Sequence, residues 1–251
     1  PMLALRYDAA IDPAQYWISE KLDGVRALWD GRQLRFRSGR PIVAPDWFVA
    51  GLPHTPLDGE LWLGRQRFDE LSGLIRRADP QHPGWRAVRY MVFDQPAGAG
   101  DFSARLQALQ ALVMAADRPW LQVVEQRRVT DRAALQRLLD DTIAGGGEGL
   151  MLHRADAPYL TGRHDALLKM KPQYDAEATV VGHLPGKGKY LGMLGALRVR
   201  TEAGVEFSLG SGLSDAVRRA PPPIGTIITY RYREVSERGI PRFASYHRVR
   251  E

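Results

Sequence analysis

Apolar and polar residues alternate over residues 16–43, and this period of two predicts a sheet rich in hairpins. Asp30-Gly31 is a two-residue turn signal, and the following alternation of apolar and arginine side chains over 34–37 indicates the returning strand. Two more compact apolar runs, 57–62 and 89–94, predict further strands. The first part of the chain is therefore built mainly from short strands.

Two amphipathic helices are predicted after these strands. In the first, residues 101–116, the apolar face recurs every three to four positions and consists of Phe102, Leu106, Leu109 and Val113. The second is predicted to be capped by Thr130, to run through Ile143 and to end at the glycines 145–147. Residues 148–153 then indicate a buried strand.

The pattern changes after Pro172. Short alternating strands separated by Gly- and Pro-rich turns predict a small all-β barrel of the OB-fold type; they are residues 178–182, 195–200, 206–209 and 226–232. We therefore expect an α+β protein with two domains. Residues 1–172 would form antiparallel sheets with flanking helices, and residues 173–251 would form the OB-fold.

Composition narrows the class of protein. Of the 251 residues, 44% are hydrophobic and 25% are charged, which is typical of a soluble globular protein, and no apolar run is long enough for a membrane span. The absence of cysteine excludes disulfides, zinc ribbons, cysteine nucleophiles and iron–sulfur ligation. The net charge of +6 favours a polyanionic partner, although solubility alone explains an excess of this size equally well.

Charged side chains recur where the predicted strands begin or end. Burying charges at such positions is costly unless they are paired or bind a ligand. A structural salt-bridge network explains one or two such sites, but five in succession favour a binding site. The five groups are Lys21, Asp23 and Arg26; Asp58 and Glu60; Phe93 and Asp94; Glu148; and Lys169 and Lys171.

The same five segments resemble the motifs I, III, IIIa, IV and V of covalent nucleotidyltransferases. The segments are Glu20-Lys21-Leu22-Asp23-Gly24-Val25-Arg26, Asp58-Gly59-Glu60-Leu61, Val92-Phe93-Asp94, Glu148-Gly149-Leu150-Met151 and Leu168-Lys169-Met170-Lys171. This superfamily comprises ATP-dependent DNA ligases, RNA ligases and mRNA capping enzymes. The resemblance implies that residues 1–172 are a nucleotidyltransferase (adenylation) domain.

Two further segments narrow the resemblance to DNA ligases. Residues 35–39 are similar to the S/R-x-G segment that follows motif I in ligases, and residues 239–243 with 248–250 resemble ligase motif VI. The R-x-D-K centre of the capping-enzyme motif is absent. The short chain is most similar to the minimal bacterial ligases of the ligase E group. NAD-dependent ligases share the lysine motif but carry an NMN-binding domain before it and a cysteine zinc site after it. Since only 20 residues precede Lys21 and cysteine is absent, the resemblance implies ATP as the donor rather than NAD.

The resemblance implies that Lys21 attacks the α-phosphate of ATP and forms a lysine–AMP phosphoramidate. A lysine amine is protonated in water at neutral pH, so it needs neighbouring cations or a metal to become nucleophilic. Lys169, Lys171 and Mg²⁺, with Mn²⁺ as a substitute, would provide that field. Asp23 would position the attacking 3′-hydroxyl in the last step, and Arg26 completes the implied catalytic set.

A nucleotide site follows from the same resemblance. The ribose would lie against Arg26 and Glu60, and the adenine against Phe93. The complete implied set is Glu20, Lys21, Arg26, Arg37, Glu60, Phe93, Glu148, Lys169, Lys171 and Arg242, with Glu60 and Glu148 as metal ligands. Arg242, with Arg248 or Arg250, would orient the pyrophosphate.

DNA is the expected partner. Candidate phosphate contacts are Arg37, Lys187, Lys189, Arg198, Arg218 and Arg219, and for those after residue 172 a solvated surface charge is an equally good explanation. The predicted function is an ATP-dependent DNA ligase that seals nicks in duplex DNA. The alternatives are an RNA ligase of the same superfamily and a non-catalytic OB-fold protein that binds nucleic acid.

The expected protein is a monomer that does not enter a membrane. Members of the ligase E group usually carry a periplasmic leader, whereas this chain opens on Pro1-Met2. We expect a periplasmic location if a leader was removed, with the cytoplasm as the alternative.

Overall fold

The computed structural model describes residues 1–236 and 238–250. The chain forms two compact units, Pro1–Lys171 and Pro172–Glu251. In the first unit, two sheets and their helices build the candidate site. Within the described ranges, no helix is both long and apolar enough to cross a bilayer.

The first sheet contains the chain start and the strands that flank the later charged segments. Its strands are, in spatial order, β1 (Met2–Arg6), β9 (Gly162–Met170), β8 (Leu150–Arg154) and β2 (Tyr16–Glu20). β1 pairs with β9 in parallel, and the other pairs are antiparallel. One face packs on helix α4 (Arg132–Ala144) through buried side chains such as Ile18, Leu139 and Leu152. The other face is left for the site.

The second sheet has five strands. In spatial order they are β4 (Leu34–Phe36), β3 (Val25–Trp29), β5 (Leu57–Trp62), β6 (Arg89–Asp94) and β7 (Leu121–Val123). β6 and β7 are parallel, and the other pairs are antiparallel. The predicted single sheet over 16–43 is wrong, because β2 and β3 belong to different sheets. The turn between β3 and β4 spans the four residues 30–33 and not the predicted two. In it, the Asp30 carboxylate accepts hydrogen bonds from two backbone amides.

Three helices of the first unit accompany the second sheet. They are α1 (Asp46–Val49), α2 (Phe68–Arg76) and α3 (Phe102–Ala116). Asp101 caps α3 by accepting from the Ala104 amide. The prediction of this helix is confirmed, and its Leu109 packs with Leu71 of α2 in the buried core beneath the sheet. The predicted cap of α4 is wrong: Asp131, not Thr130, accepts from the Ala134 amide at 2.8 Å.

The second unit contains one five-stranded antiparallel sheet. In spatial order its strands are β12 (Glu206–Leu209), β11 (Leu194–Arg200), β10 (Tyr174–Pro185), β13 (Ile227–Tyr232) and β16 (Ser245–Val249). A short helix, α5 (Asp215–Arg219), and a two-stranded ribbon of β14 (Glu234–Val235) and β15 (Pro241–Arg242) complete it. Its own core includes Val180, Leu197 and Ile228, as the predicted all-β domain requires.

Candidate nucleotide-binding and catalytic site

A cavity of about 300 Å³ is lined by side chains from both sheets of the first unit. This volume is at the lower end of the range for small-molecule sites. Among the sequence-predicted residues, those that line it are Glu20, Lys21, Arg26, Arg37, Glu60, Phe93 and Lys169. They come from four regions of the sequence, around residues 20–37, 60, 93 and 169, and the fold brings these regions together.

The first sheet supplies its half of the cavity through strand alternation. Ser19 pairs with Met151, and Met151 pairs with Lys169, so these three side chains share one face. All three line the cavity, whereas Ile18 and its neighbours on the opposite face are buried against α4. Lys21 follows β2 directly, and its backbone amide donates to the Gly149 carbonyl at 2.8 Å.

Two glycines allow this close approach of the chain segments. A Cβ atom at Gly24 would lie 2.3 Å from the Leu61 carbonyl oxygen, and one at Gly149 would lie 2.3 Å from the Met170 oxygen. Such contacts are far inside the van der Waals limit. The glycines beside Asp23 and Glu148 are therefore required by packing.

The second sheet supplies Arg26, Glu60 and Phe93. Arg26 is directly opposite Glu60 in the β3–β5 register. Its guanidinium donates to both carboxylate oxygens of Asp58, at 2.9 and 2.7 Å, and lies 5.4 Å from the centre of the Phe93 ring. The buried Asp58 also accepts from the Tyr159 hydroxyl at 2.9 Å. Arg26 is therefore held in one orientation at the cavity wall.

Glu148 lies between two lysines. Its Oε2 is 2.5 Å from Lys21 Nζ, and its Oε1 contacts Lys171 Nζ. Partial burial raises the pKa of Glu148, but the hydrogen bonds and positive charges of the two lysines outweigh burial and lower it overall. An ionised carboxylate therefore lies beside the candidate nucleophile.

Glu60 differs from Glu148 in its ionisation. Burial raises the pKa of Glu60 to about 8, against the opposing charges of Lys21 and Arg26, so this carboxyl is mostly protonated at neutral pH. Among the residues that the structure describes, no group of three or more His, Asp or Glu side chains could hold a metal. Mg²⁺ commonly takes one or two carboxylates and completes its shell with water and substrate phosphates. Glu148 fits that role better than Glu60.

Asp23, Glu148 and Lys171 do not line the main cavity, whereas Glu20 and Arg37 do. Glu20 makes two hydrogen bonds with the Arg65 guanidinium, at 2.8 and 2.9 Å, and Arg65 also donates to the Gly145 carbonyl. Asp23 is exposed and, with Glu20 and Glu148, lines a smaller neighbouring cavity of about 120 Å³. Partial burial of the carboxyl group and the nearby Glu148 raise the pKa of Asp23. Arg37 is exposed at the edge of the main cavity.

A buried ion pair supports the strand end that carries Phe93. Arg105 of α3 donates to both oxygens of Asp94, at 2.7 and 3.2 Å, and to the carbonyls of Gly100 and Ala157. Sequence reasoning marked Asp58 and Asp94 as strand-end acids, but it gave no sign of Arg105 or Tyr159. These partners are distant in sequence and carry no motif of their own.

The predicted residues of the second unit are mostly exposed. Arg242 lies on β15, with its guanidinium 3.7 Å from Glu234, and Lys187, Lys189, Arg198 and Arg219 are also exposed. Arg218 is the exception, and its burial and contacts disfavour the predicted role in binding DNA. Arg218 is 6% exposed, donates to the carbonyls of Leu194, Gly195 and Gly210, and stacks on Tyr190 at 4.0 Å. Its charge is used to hold loops together.

The lysines, acids and aromatic ring in and beside this cavity, followed by an OB-fold unit, define a covalent nucleotidyltransferase. Comparison with known proteins agrees: the family description "ATP dependent DNA ligase domain" matches residues 1–171, and "DNA ligase OB-like domain" matches residues 185–250. The chain belongs to the ATP-dependent DNA ligase family. Membership implies ATP as donor, a protein-bound AMP, a divalent metal and DNA as substrate.

Individual relatives support the same assignment. A DNA ligase of Haemophilus influenzae is 37% identical over 240 residues, which cover 95% of this chain and 88% of that protein. The solved structure of a Lig E DNA ligase, which is described as DNA binding with a minimal scaffold, is 44% identical with a TM-score of 0.80 and covers 99% and 98% of the two chains. The adenylated Chlorella virus DNA ligase is similar in fold, with a TM-score of 0.61 at 21% identity over 100% and 98%.

Proposed function

We propose that this ligase seals nicks in duplex DNA and uses Lys21 as its nucleophile. The observation that carries the proposal is the convergence of Lys21, Arg26, Glu60, Phe93 and Lys169 on one cavity. In the first step the Lys21 amine attacks the α-phosphate of ATP, and pyrophosphate leaves. AMP then passes to the 5′-phosphate of the nick, and the 3′-hydroxyl attacks to join the strands with release of AMP.

The residues around Lys21 have separate roles in this proposal. The Phe93 ring stacks on the adenine, while Arg26, held by Asp58, and the protonated Glu60 hydrogen-bond the ribose hydroxyls. Lys169 and Lys171 bind phosphate oxygens and stabilise the negative charge that develops on them. Glu148 would hold a divalent ion, which we expect to be Mg²⁺. When bound, that ion would neutralise charge on the phosphates.

The proposed roles of Arg37, Asp23 and Arg242 rest on the family resemblance and on the exposure of these side chains. Arg37 binds the 5′-phosphate at the nick, and Asp23 positions the 3′-hydroxyl. Arg242 orients the pyrophosphate, and its exposed guanidinium leaves it available for that contact. We propose that the enzyme acts as a monomer, and a periplasmic location stays a prediction from the resemblance alone.

Intact-mass measurement tests the proposed chemistry. We expect incubation with ATP and Mg²⁺ to add one AMP to the protein, and a nicked DNA duplex to discharge it and become joined. NAD in place of ATP is the negative control. Failure to form the adduct would contradict the mechanism, whereas preferential joining of a nick flanked by RNA strands would favour the RNA ligase alternative.

Salt dependence tests the DNA contacts of Lys187 and Lys189. Each phosphate that a protein neutralises makes the logarithm of affinity fall by about 0.9 per unit of log salt concentration. We expect Lys187→Gln/Lys189→Gln to weaken binding of nicked DNA and to reduce this slope by about 1 to 2. The double variant Arg132→Gln/Arg137→Gln removes the same charge from the exposed side of α4. Equal slopes in the two double variants would exclude local contacts by the lysines.

A further inference from the structure

One wall of the cavity carries a polar group that the proposed mechanism does not use. Gln126 lies in the segment after β7 and lines the same cavity as Lys21 and Phe93. Its side-chain oxygen, Oε1, is buried and accepts no hydrogen bond within the described residues. A buried carbonyl oxygen without a donor is costly and rare in folded proteins, so such an atom in a ligand cavity points to a donor on the ligand.

Backbone pairing fixes the position of Gln126 between the two sheets. On one side, the Val124 amide donates to the Val92 carbonyl at 2.8 Å, which attaches this segment to the strand that carries Phe93. On the other side, Arg127 exchanges two backbone hydrogen bonds with Ile18, at 2.7 and 2.8 Å. Gln126 therefore lies beside the strand that leads into Lys21, on the same cavity as the ring proposed to stack on the base.

The other orphaned atom on a cavity-lining residue has a different environment. His153 Nε2 lies 3.6 Å from Asp94 Oδ2, and the imidazole stacks on Phe102 with ring centres 3.5 Å apart. That nitrogen faces the buried Asp94–Arg105 pair. Gln126 is thus the better placed of the two to meet a ligand in the cavity.

An amide presents a carbonyl acceptor and an NH₂ donor side by side. Adenine presents the complementary pair, because its exocyclic N6 amine is a donor and the adjacent ring nitrogens are acceptors. Guanine has a carbonyl oxygen at the position of this amine, which would set two acceptors against each other. With Oε1 directed at the base, the amide of Gln126 favours adenine over guanine, whereas with its NH₂ group in that place it would favour guanine.

We propose that Gln126 determines the base specificity of the ligase, with Oε1 accepting a hydrogen bond from N6 of ATP. The inference rests on the proposed function, in which the adenine lies on Phe93. It adds a residue from outside the five charged segments. The sequence alone does not single out Gln126, because a lone glutamine between a short strand and a helix matches no motif.

A substrate–variant cycle tests the contact directly. Rates of protein adenylation are measured by intact mass with ATP and with purine riboside triphosphate, which lacks the N6 amine. For the wild type we expect kcat/KM to fall about 10- to 100-fold with the analogue, as for loss of a hydrogen bond to a buried group. Gln126→Leu should lose a similar factor with ATP and should then show little preference between the two nucleotides.

Two variants control the interpretation. Gln136→Leu makes the same replacement at an exposed position on α4, where the amide contacts Asp140, and should retain the wild-type preference. Gln126→Glu keeps an acceptor oxygen at the site and should still prefer ATP over the analogue even if adenylation is slower. The ratio of kcat/KM with ATP to kcat/KM with the analogue separates base recognition from a purely structural role, because a loss of folding would affect both nucleotides equally.

The outcomes also separate this inference from the proposed function. If the wild type forms no AMP adduct, the proposed chemistry fails. If the wild type is adenylated but Gln126→Leu retains the full preference for ATP over purine riboside triphosphate, the proposed chemistry stands and the role of Gln126 is overturned. Loss of the preference in Gln126→Leu but not in Gln136→Leu supports it.

Discussion

Replacement of Lys21 by alanine is expected to abolish the protein-bound AMP and to reduce nick joining with ATP below detection. The two neighbouring lysines have other proposed roles: Lys169 lies on β9 in the same cavity, and Lys171 contacts the other carboxylate oxygen of Glu148. Lys21 follows β2 directly, and its amine is 2.5 Å from the Glu148 carboxylate. Intact mass after incubation with ATP and Mg²⁺ gives the result directly.

A pre-adenylated nick separates a lost nucleophile from a lost fold. The final joining step needs no lysine–AMP bond, so Lys21→Ala should still seal a nick whose 5′-phosphate already carries AMP. Lys21→Arg keeps the positive charge beside Glu148 but offers a guanidinium that is not nucleophilic at neutral pH, and it should also form no adduct. Lys187→Ala is the matched lysine control and should be adenylated normally. An AMP adduct on Lys21→Ala would show that another residue is the nucleophile.

The residues that meet at this cavity can be selected from the sequence where they lie at strand ends. Lys21, Glu60 and Lys169 each lie at or next to a strand in an apolar frame, and such positions stand out because isolated charges are rare there. The helix over 101–116 was also predictable, because its N-terminal Asp101 and its apolar spacing agree with each other. Local patterns suffice when each local preference agrees with the fold.

Tyr159 and Arg105, which bind Asp58 and Asp94, cannot be recognised from local patterns, because their contacts join positions that are far apart in the sequence. Tyr159 reaches Asp58 across 101 positions, and Arg105 reaches Ala157 across 52. The same limit explains the error over residues 16–43, where a strand pair that looks continuous in sequence belongs to two sheets. It also explains Arg218, since an arginine that bonds three carbonyls resembles an exposed arginine until the fold is known.

The buried Arg105–Asp94 pair is expected to show the largest effect on stability. Arg105 is 0% exposed and the Asp94 side chain is 2% exposed. Burial raises the pKa of Asp94, and the hydrogen bonds from Arg105 only partly oppose this rise. In Arg105→Met the carboxylate loses both guanidinium hydrogen bonds inside the core. Removing one partner of a buried pair costs about 3 to 5 kcal/mol, which we expect as a lowered urea midpoint followed by tryptophan fluorescence.

An exposed pair supplies the matched control. Arg127 and Glu125 form an ion pair 2.9 Å apart, with both side chains more than half exposed. Because solvent screens such pairs, Arg127→Met should cost only about 0 to 1 kcal/mol.

The pH dependence gives a second criterion: an unpaired Asp94 binds its proton more tightly in the folded state than in the unfolded state. The deficit of Arg105→Met should therefore shrink as the pH falls towards the ordinary range of a carboxyl group and grow as it rises. Equal small losses in the two variants at neutral pH would mean that the core tolerates the unpaired carboxyl, and that Asp94 is not what fixes the strand end bearing Phe93.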